Sequence, residues 1–302
     1  MERKLISQGG GGFTIYLPKK WIEENNLDKG DELTITISGK ELIIGPKKSE
    51  KKSETTINLN GLIEPAIRSL ITNTYRIGFD KLNISFENEA QFKIIQEILK
   101  FRLIGFEVTK KDKNHCIVEN VTEPSYDQFD NLLKKMFMNI DELFLITKIK
   151  LGMSNEKESE DFYEIEARIM KYDNFCRRVI SKQKLIKENS EMFWSFLTLL
   201  IHGQRELYHL NKFIKKKISV SKEIEEIFNG CYKIFKLIEK AYYEKNVDIL
   251  GEVHELENEY IFKKSYNLFK KTNGEDNIII YHLSMSLREF YQSNSALTGL
   301  IV

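Results

Sequence analysis

The sequence predicts a multi-domain α+β protein: a small β module, a small α/β unit, and then a bundle of six long helices. Three observations carry that expectation. Apolar and polar residues alternate at strand spacing within the first 46 positions. Helical and alternating patterns then interleave from about residue 57 to 122, and from Pro124 onward the spacing stays helical. Four prolines and 16 glycines are few for 302 residues, which favours long helices over a loop-rich β fold.

The predicted domains are residues 1–46, 57–122 and 123–302, with 47–56 as a linker. In the first, a strand, a run of four glycines and a second strand lead into Leu17-Pro18, where proline opens a helix. Lys29-Gly30-Asp31-Glu32 reads as a turn before a strand that places Leu33, Ile35 and Ile37 on one face. Gly39-Lys40 reads as a tight hairpin turn feeding Leu42-Ile43-Ile44. The order is β-β-α-β-β, too small to bury much surface alone, so a homodimer is expected. The stretch from Lys47 to Thr56 is wholly polar, as linkers are.

In the α/β unit, Leu62, Ala66, Ile67, Leu70, Ile71 and Tyr75 form one helical stripe, and Phe92, Ile95, Ile98, Leu99 and Leu103 form another. Leu82, Ile84 and Phe86 alternate between them, and Phe106–Val108 and Cys116–Val118 read as strands around a turn from Lys110 to Asn114. Beyond Pro124, stripes running from Leu132, Phe162, Phe193, Ile224, Val247 and Ile278 predict six helices with short turns, read as two three-helix units.

Composition bounds the function. Lys plus Arg (46) nearly cancels Asp plus Glu (45), so any nucleic-acid affinity must come from a local patch. Cys116, Cys176 and Cys231 form no CxxC pair, which fits a reducing cytosol and argues against structural zinc. No apolar run approaches the roughly 18 residues that span a bilayer, and the basic opening runs toward glycines, not an apolar core. A cytoplasmic protein without membrane insertion or signal peptide is expected.

The run Thr14-Ile15-Tyr16-Leu17-Pro18-Lys19-Lys20-Trp21, followed by Leu27-Asp28-Lys29-Gly30-Asp31-Glu32, resembles the SpoVT/AbrB family over residues 1–46. The resemblance implies a swapped-hairpin dimer that lays basic side chains on DNA. By position, Arg3, Lys4, Lys19 and Lys20 would meet phosphates, and Gln8 a base edge or the backbone. Two copies pool about eight cations, enough for a salt-sensitive attachment. Residues 1–48 hold eight basic and seven acidic side chains, so dimerisation without DNA contact is the competing reading.

The segments Leu62-Ile63 to Gly78-Phe79-Asp80, Leu103–Val108 and Ile117–Val121, with the helical stripe that follows, are similar to archaeal PhoU-type phosphate uptake regulators. That family has the same domain order. The resemblance implies a non-enzymatic regulator of phosphate homeostasis, with a transporter, kinase or other signalling protein as partner. It also implies Glu/Asp-x-x-x-Asp metal motifs, since residues four apart share a helical face. Glu166, Glu206 and Glu289 are followed four residues on by Met170, Leu210 and Ser293, so only Glu255 and Glu259 keep both carboxylates. No cofactor is otherwise called for. His202, His209 and Cys231 are not joined by any motif, and Asp173 with Arg177 and Arg178 reads as an i, i+4 pair and nothing more.

Overall fold

The alternating start of the chain folds as two antiparallel hairpins in separate sheets. In this computed structural model, residues 3–9, 11–38, 41–46, 52–122, 128–156, 161–183 and 189–302 are described. The fold is mixed α+β and 64% helical. Two units are present, Met1–Lys52 and Ser53–Val302.

In the first unit, β1 (Ile6–Gln8) pairs with β2 (Gly12–Thr14), and Thr14 Oγ1 donates to Ile6 O at 3.3 Å. Pro18 stands at the N-cap of α1 (Lys19–Glu24) with φ −64°, the angle its ring already imposes. A turn at Gly30, φ 103°, is tied by the Asp28 amide donating to Asp31 Oδ2 at 2.7 Å. β3 (Leu33–Ser38) then pairs with β4 (Glu41–Pro46) in a register that sets Ile35 beside Ile44 and Ile37 beside Leu42. The expected turn at Gly39-Lys40, linker residues 47–51 and Pro124 lie outside the described residues.

The second unit begins with a four-stranded sheet of order β5-β6-β8-β7. Its members are β5 (Glu54–Asn58), β6 (Lys81–Ser85), β7 (Phe106–Lys111) and β8 (His115–Asn120). Edge strand β5 runs parallel to β6, whereas β8 is antiparallel to both β6 and β7. β5 starts inside the stretch that composition assigns to the linker: Glu54, Thr55 and Thr56 pair with Lys81, Leu82 and Asn83. Two helices, α2 (Glu64–Ile77) and α3 (Glu89–Arg102), complete the α/β part. Asn88 caps α3 by accepting from the Gln91 amide at 3.0 Å, and Gln91 Nε2 donates to Leu59 O at 2.9 Å inside the core. Ile67, Ile71 and Tyr75 of α2 pack with Ile95 and Ile98 of α3 over Leu82, Ile84, Cys116 and Val118 of the sheet.

The helical region contains α4 (Phe129–Lys150), α5 (Phe162–Gln183), α6 (Ser190–Phe213) and α7 (Lys222–Glu244). Next come α8 (Asp248–Glu257), a π-helical segment (Asn258–Ser265), α9 (Tyr266–Phe269) and α10 (Gly274–Ile301). The expected unbroken helix from Val247 to Leu268 is therefore widened at its centre, where Ser265 Oγ donates to Tyr260 O at 2.7 Å. α6 and α10 pack most extensively. Gly203 permits this, because a Cβ there would lie 2.6 Å from the Phe290 ring. Phe137, Phe144, Phe196, Phe235 and Phe290 fill one continuous core across the helices.

Candidate nucleic-acid interface

Arg3 and Lys4 precede β1, Gln8 ends it, and all three are exposed. Lys19 and Lys20 open α1, where each meets a carboxylate one turn later: Glu23 at 3.5 Å and Glu24 at 3.7 Å. The lysine ammonium groups stay in water, so these pairs are worth under about 1 kcal/mol and yield readily to a phosphate. They nevertheless lower the local positive charge.

The more telling feature is apolar. None of the described side chains of the first unit is buried. Phe13 is 68% exposed and Ile37 77%, while Leu5, Tyr16, Ile35 and Leu42 are also open to solvent. The register explains the pattern on the second hairpin. Side chains alternate along a strand, so Leu33, Ile35 and Ile37 share one face, and the cross-strand neighbours Ile44 and Leu42 join them there. Among the described residues of a single copy, no side chain of these hairpins is buried in a core.

Of the metal candidates, Glu255 is exposed on α8 and Glu259 lies in the π-helical segment, where Lys263 at 3.4 Å and Lys264 at 3.8 Å approach its carboxylate. His282 Nδ1 is hydrogen-bonded to Glu206 at 2.8 Å, joining α10 to α6, whereas His202 Nδ1 only approaches Glu289, at 3.7 Å. Cys231 is buried, with its thiol 3.5 Å from Ser286 Oγ. No group of three or more His, Cys, Asp or Glu side chains is placed to hold a metal ion among the described residues.

Sequence reasoning missed a polar seam where α5 meets α2 and α3. Asp173, 0% exposed, accepts from Arg177 Nε at 2.8 Å and from Arg76 at 2.9 Å. Asn174 bridges α2 and α3, accepting from Arg76 Nε at 2.8 Å and donating to Arg102 O at 2.8 Å. Arg102 forms a two-pronged pair with Glu166 at 3.0 and 2.8 Å. Arg178 donates to Phe79 O at 2.8 Å and Asp80 Oδ1 at 2.6 Å, and Lys182 reaches the same oxygen at 2.6 Å. Asp173 and Arg177 are thus an i, i+4 pair as spaced, but a buried one with partners far along the chain. Burial alone would raise the Asp80 pKa; bonds from Lys182 and Ser53 and the charge of Arg178 outweigh it and hold the carboxyl below its ordinary 3.8. Gly78, in the left-handed region at φ 108°, ends α2 where a Cβ would lie 2.6 Å from Lys182 Cγ.

The available signal was the grouping of Asp173, Asn174, Arg177 and Arg178 on one face of a helix whose other face is apolar. Such a face is usually solvated, and only a packed neighbour shows otherwise.

No helix among the described residues is long and apolar enough to cross a membrane. Neither a curated protein nor a solved structure matches the chain. Residues 6–52 match the family described as antidote-toxin recognition MazE, bacterial antitoxin, so the first unit contains a MazE/AbrB-like domain.

Proposed function

We propose that the chain is a cytoplasmic, non-enzymatic regulator that binds DNA as a dimer through its MazE/AbrB-like unit and relays a signal through its helical region. The observation that carries this reading is the uncovered apolar face of the hairpins. Burying one such side chain is worth about 1.5–3 kcal/mol. Phe13, Ile35, Ile37 and Leu42 from two copies together offset an association cost of roughly 4–15 kcal/mol. Pairing also brings Arg3, Lys4, Lys19 and Lys20 together from both chains, with Gln8 as the neutral contact. The link to phosphate homeostasis rests on the domain order alone, since the family match ends at residue 52.

A salt series of gel shifts with duplex DNA tests the proposal. The double variant Lys19→Ala/Lys20→Ala removes four cations per dimer, and the log–log salt slope should fall by up to about 3.6, at 0.9 per phosphate contact. No shift of DNA by the parent protein in low salt refutes DNA binding. The Lys19–Glu23 and Lys20–Glu24 pairs favour one second reading: an adaptor that dimerises through this unit and docks its helices on a transporter or kinase. That reading predicts a dimer that shifts no DNA.

A further inference from the structure

The polar seam holds more positive charge than it neutralises. Asp173 is shared by Arg76 and Arg177, so two guanidiniums face one carboxylate. Arg177 is 4% exposed and the Arg76 side chain 19%. Buried charges are normally matched, because an unpaired one is costly. Both arginines also keep spare donors. Arg177 commits Nε to Asp173 and Nη1 to Thr198 Oγ1 at 3.1 Å and to Trp194 O at 3.5 Å, while its Nη2 bonds no described residue. Arg76 commits Nε to Asn174 and Nη2 to Asp173, and its Nη1 meets only Asn73 Oδ1, at 3.5 Å. A third cation stands at the rim. Arg205 is exposed and forms no hydrogen bond or ion pair among the described residues. Seven residues on from Thr198, next to the Gln204 that reaches Met170 Sδ at 3.9 Å, it lies toward the side of α6 that faces α5. Burial lowers the proton affinity of Arg76, and the charges of Arg177 and Arg205 lower it further against the opposing charge of Asp173.

We infer that Arg76, Arg177 and Arg205 bind a tetrahedral oxyanion beside Asp173, either inorganic phosphate or the phosphoryl group of a small phosphate ester. Three guanidiniums against one carboxylate leave a surplus of two positive charges, which matches a dianion. The neighbouring Arg102–Glu166 pair is balanced and adds no net charge. The three arginines come from α2, α5 and α6, so their donors approach from three helices. A planar carboxylate offers two oxygens, whereas a phosphate presents acceptors on several sides and suits forked guanidinium donors. The Trp194 ring, 4.8 Å from the Arg177 guanidinium carbon, and the bond to Thr198 hold that fork in place. The bound anion ties α2 to α5 and α6, and so sets how firmly the helical region grips the α/β part. The inference stands whether or not the first unit binds DNA.

The test is isothermal titration of the full chain with inorganic phosphate and with glycerol phosphate at fixed ionic strength, acetate serving as the planar anion. Saturable binding of at least one phosphate is expected, and the tighter of the two identifies the source. Arg205→Gln removes an exposed side chain that bonds no described residue, so its helical circular dichroism should match the parent's. It should bind at least roughly tenfold more weakly, the loss of one charged donor. Lys19→Ala/Lys20→Ala should bind phosphate as the parent does, which separates this site from the cations of the first unit. Four results overturn the inference: no saturable binding of either phosphate, acetate binding equally well, unchanged affinity in Arg205→Gln, or loss of binding in Lys19→Ala/Lys20→Ala.

Discussion

Replacing Asp173 with alanine tests the polar seam most severely. The carboxylate is wholly buried and is the shared acceptor for Arg177 and Arg76. Its removal leaves two guanidiniums facing each other in a site largely closed to water. Arg76 cannot shed its charge, because guanidinium remains protonated even when burial lowers its affinity for the proton, as it does here, where the Asp173 charge opposes that effect. Removing one partner of a buried ion pair costs about 3–5 kcal/mol. For a unit of this size each kcal/mol moves the Tm by roughly 2–4 °C, so the variant should melt about 6–20 °C below the parent. Urea unfolding followed by far-ultraviolet circular dichroism supplies the free energy directly. Glu64→Ala, which breaks the exposed Glu64–Arg68 pair, is the reference and should cost under about 1 kcal/mol. If Asp173→Ala proves no worse than Glu64→Ala, the seam does not hold α5 to the α/β part.

Two further outcomes follow from the same geometry. The pKa of Asp80 is depressed in the folded chain, so the unfolded chain takes up the proton first as pH falls. Its stabilisation is complete above the ordinary 3.8 and is lost as pH drops through the lower folded value. The stability gap between the parent and Asp80→Asn should stay constant from neutral pH down to about 5 and narrow below about 4; a gap that widens in acid contradicts the assignment. At Gly203 there is no room for a side chain against Phe290, so Gly203→Val should destabilise by about 1–3 kcal/mol through overpacking between α6 and α10, measured by the same urea titration.

Much of the fold was legible because periodicity reports which face of an element meets a core. The alternation of Leu33, Ile35 and Ile37 anticipated β3, and the stripes of α2 and α3 were read nearly to their ends. β5 was not legible. It is an edge strand bonded on one side, so Ile57 is its one buried residue and Glu54-Thr55-Thr56 keep a polar, linker-like character. The π-helical segment left no trace either, since the apolar spacing from Leu250 to Leu268 continues through it. The Lys19–Glu23 and Lys20–Glu24 pairs stand in the sequence at i, i+4 spacing and bear on the DNA surface, yet cation counting passes over them. The seam divides in the same way. The Asp173–Arg177 spacing is local and visible, whereas Arg76 and Asp80 approach α5 from about a hundred residues away, and only folding brings them there.

The central claim is that the opening hairpins lack a core until a second copy supplies one, and the mass of the chain in solution tests it most directly. Sedimentation equilibrium of the full chain should give about twice 35.5 kDa. The double variant Ile35→Glu/Ile37→Glu, with charges on the bare face of β3, should give the single-chain mass while its helical circular dichroism is retained. A parent protein with the single-chain mass, or a variant that stays dimeric, contradicts the account.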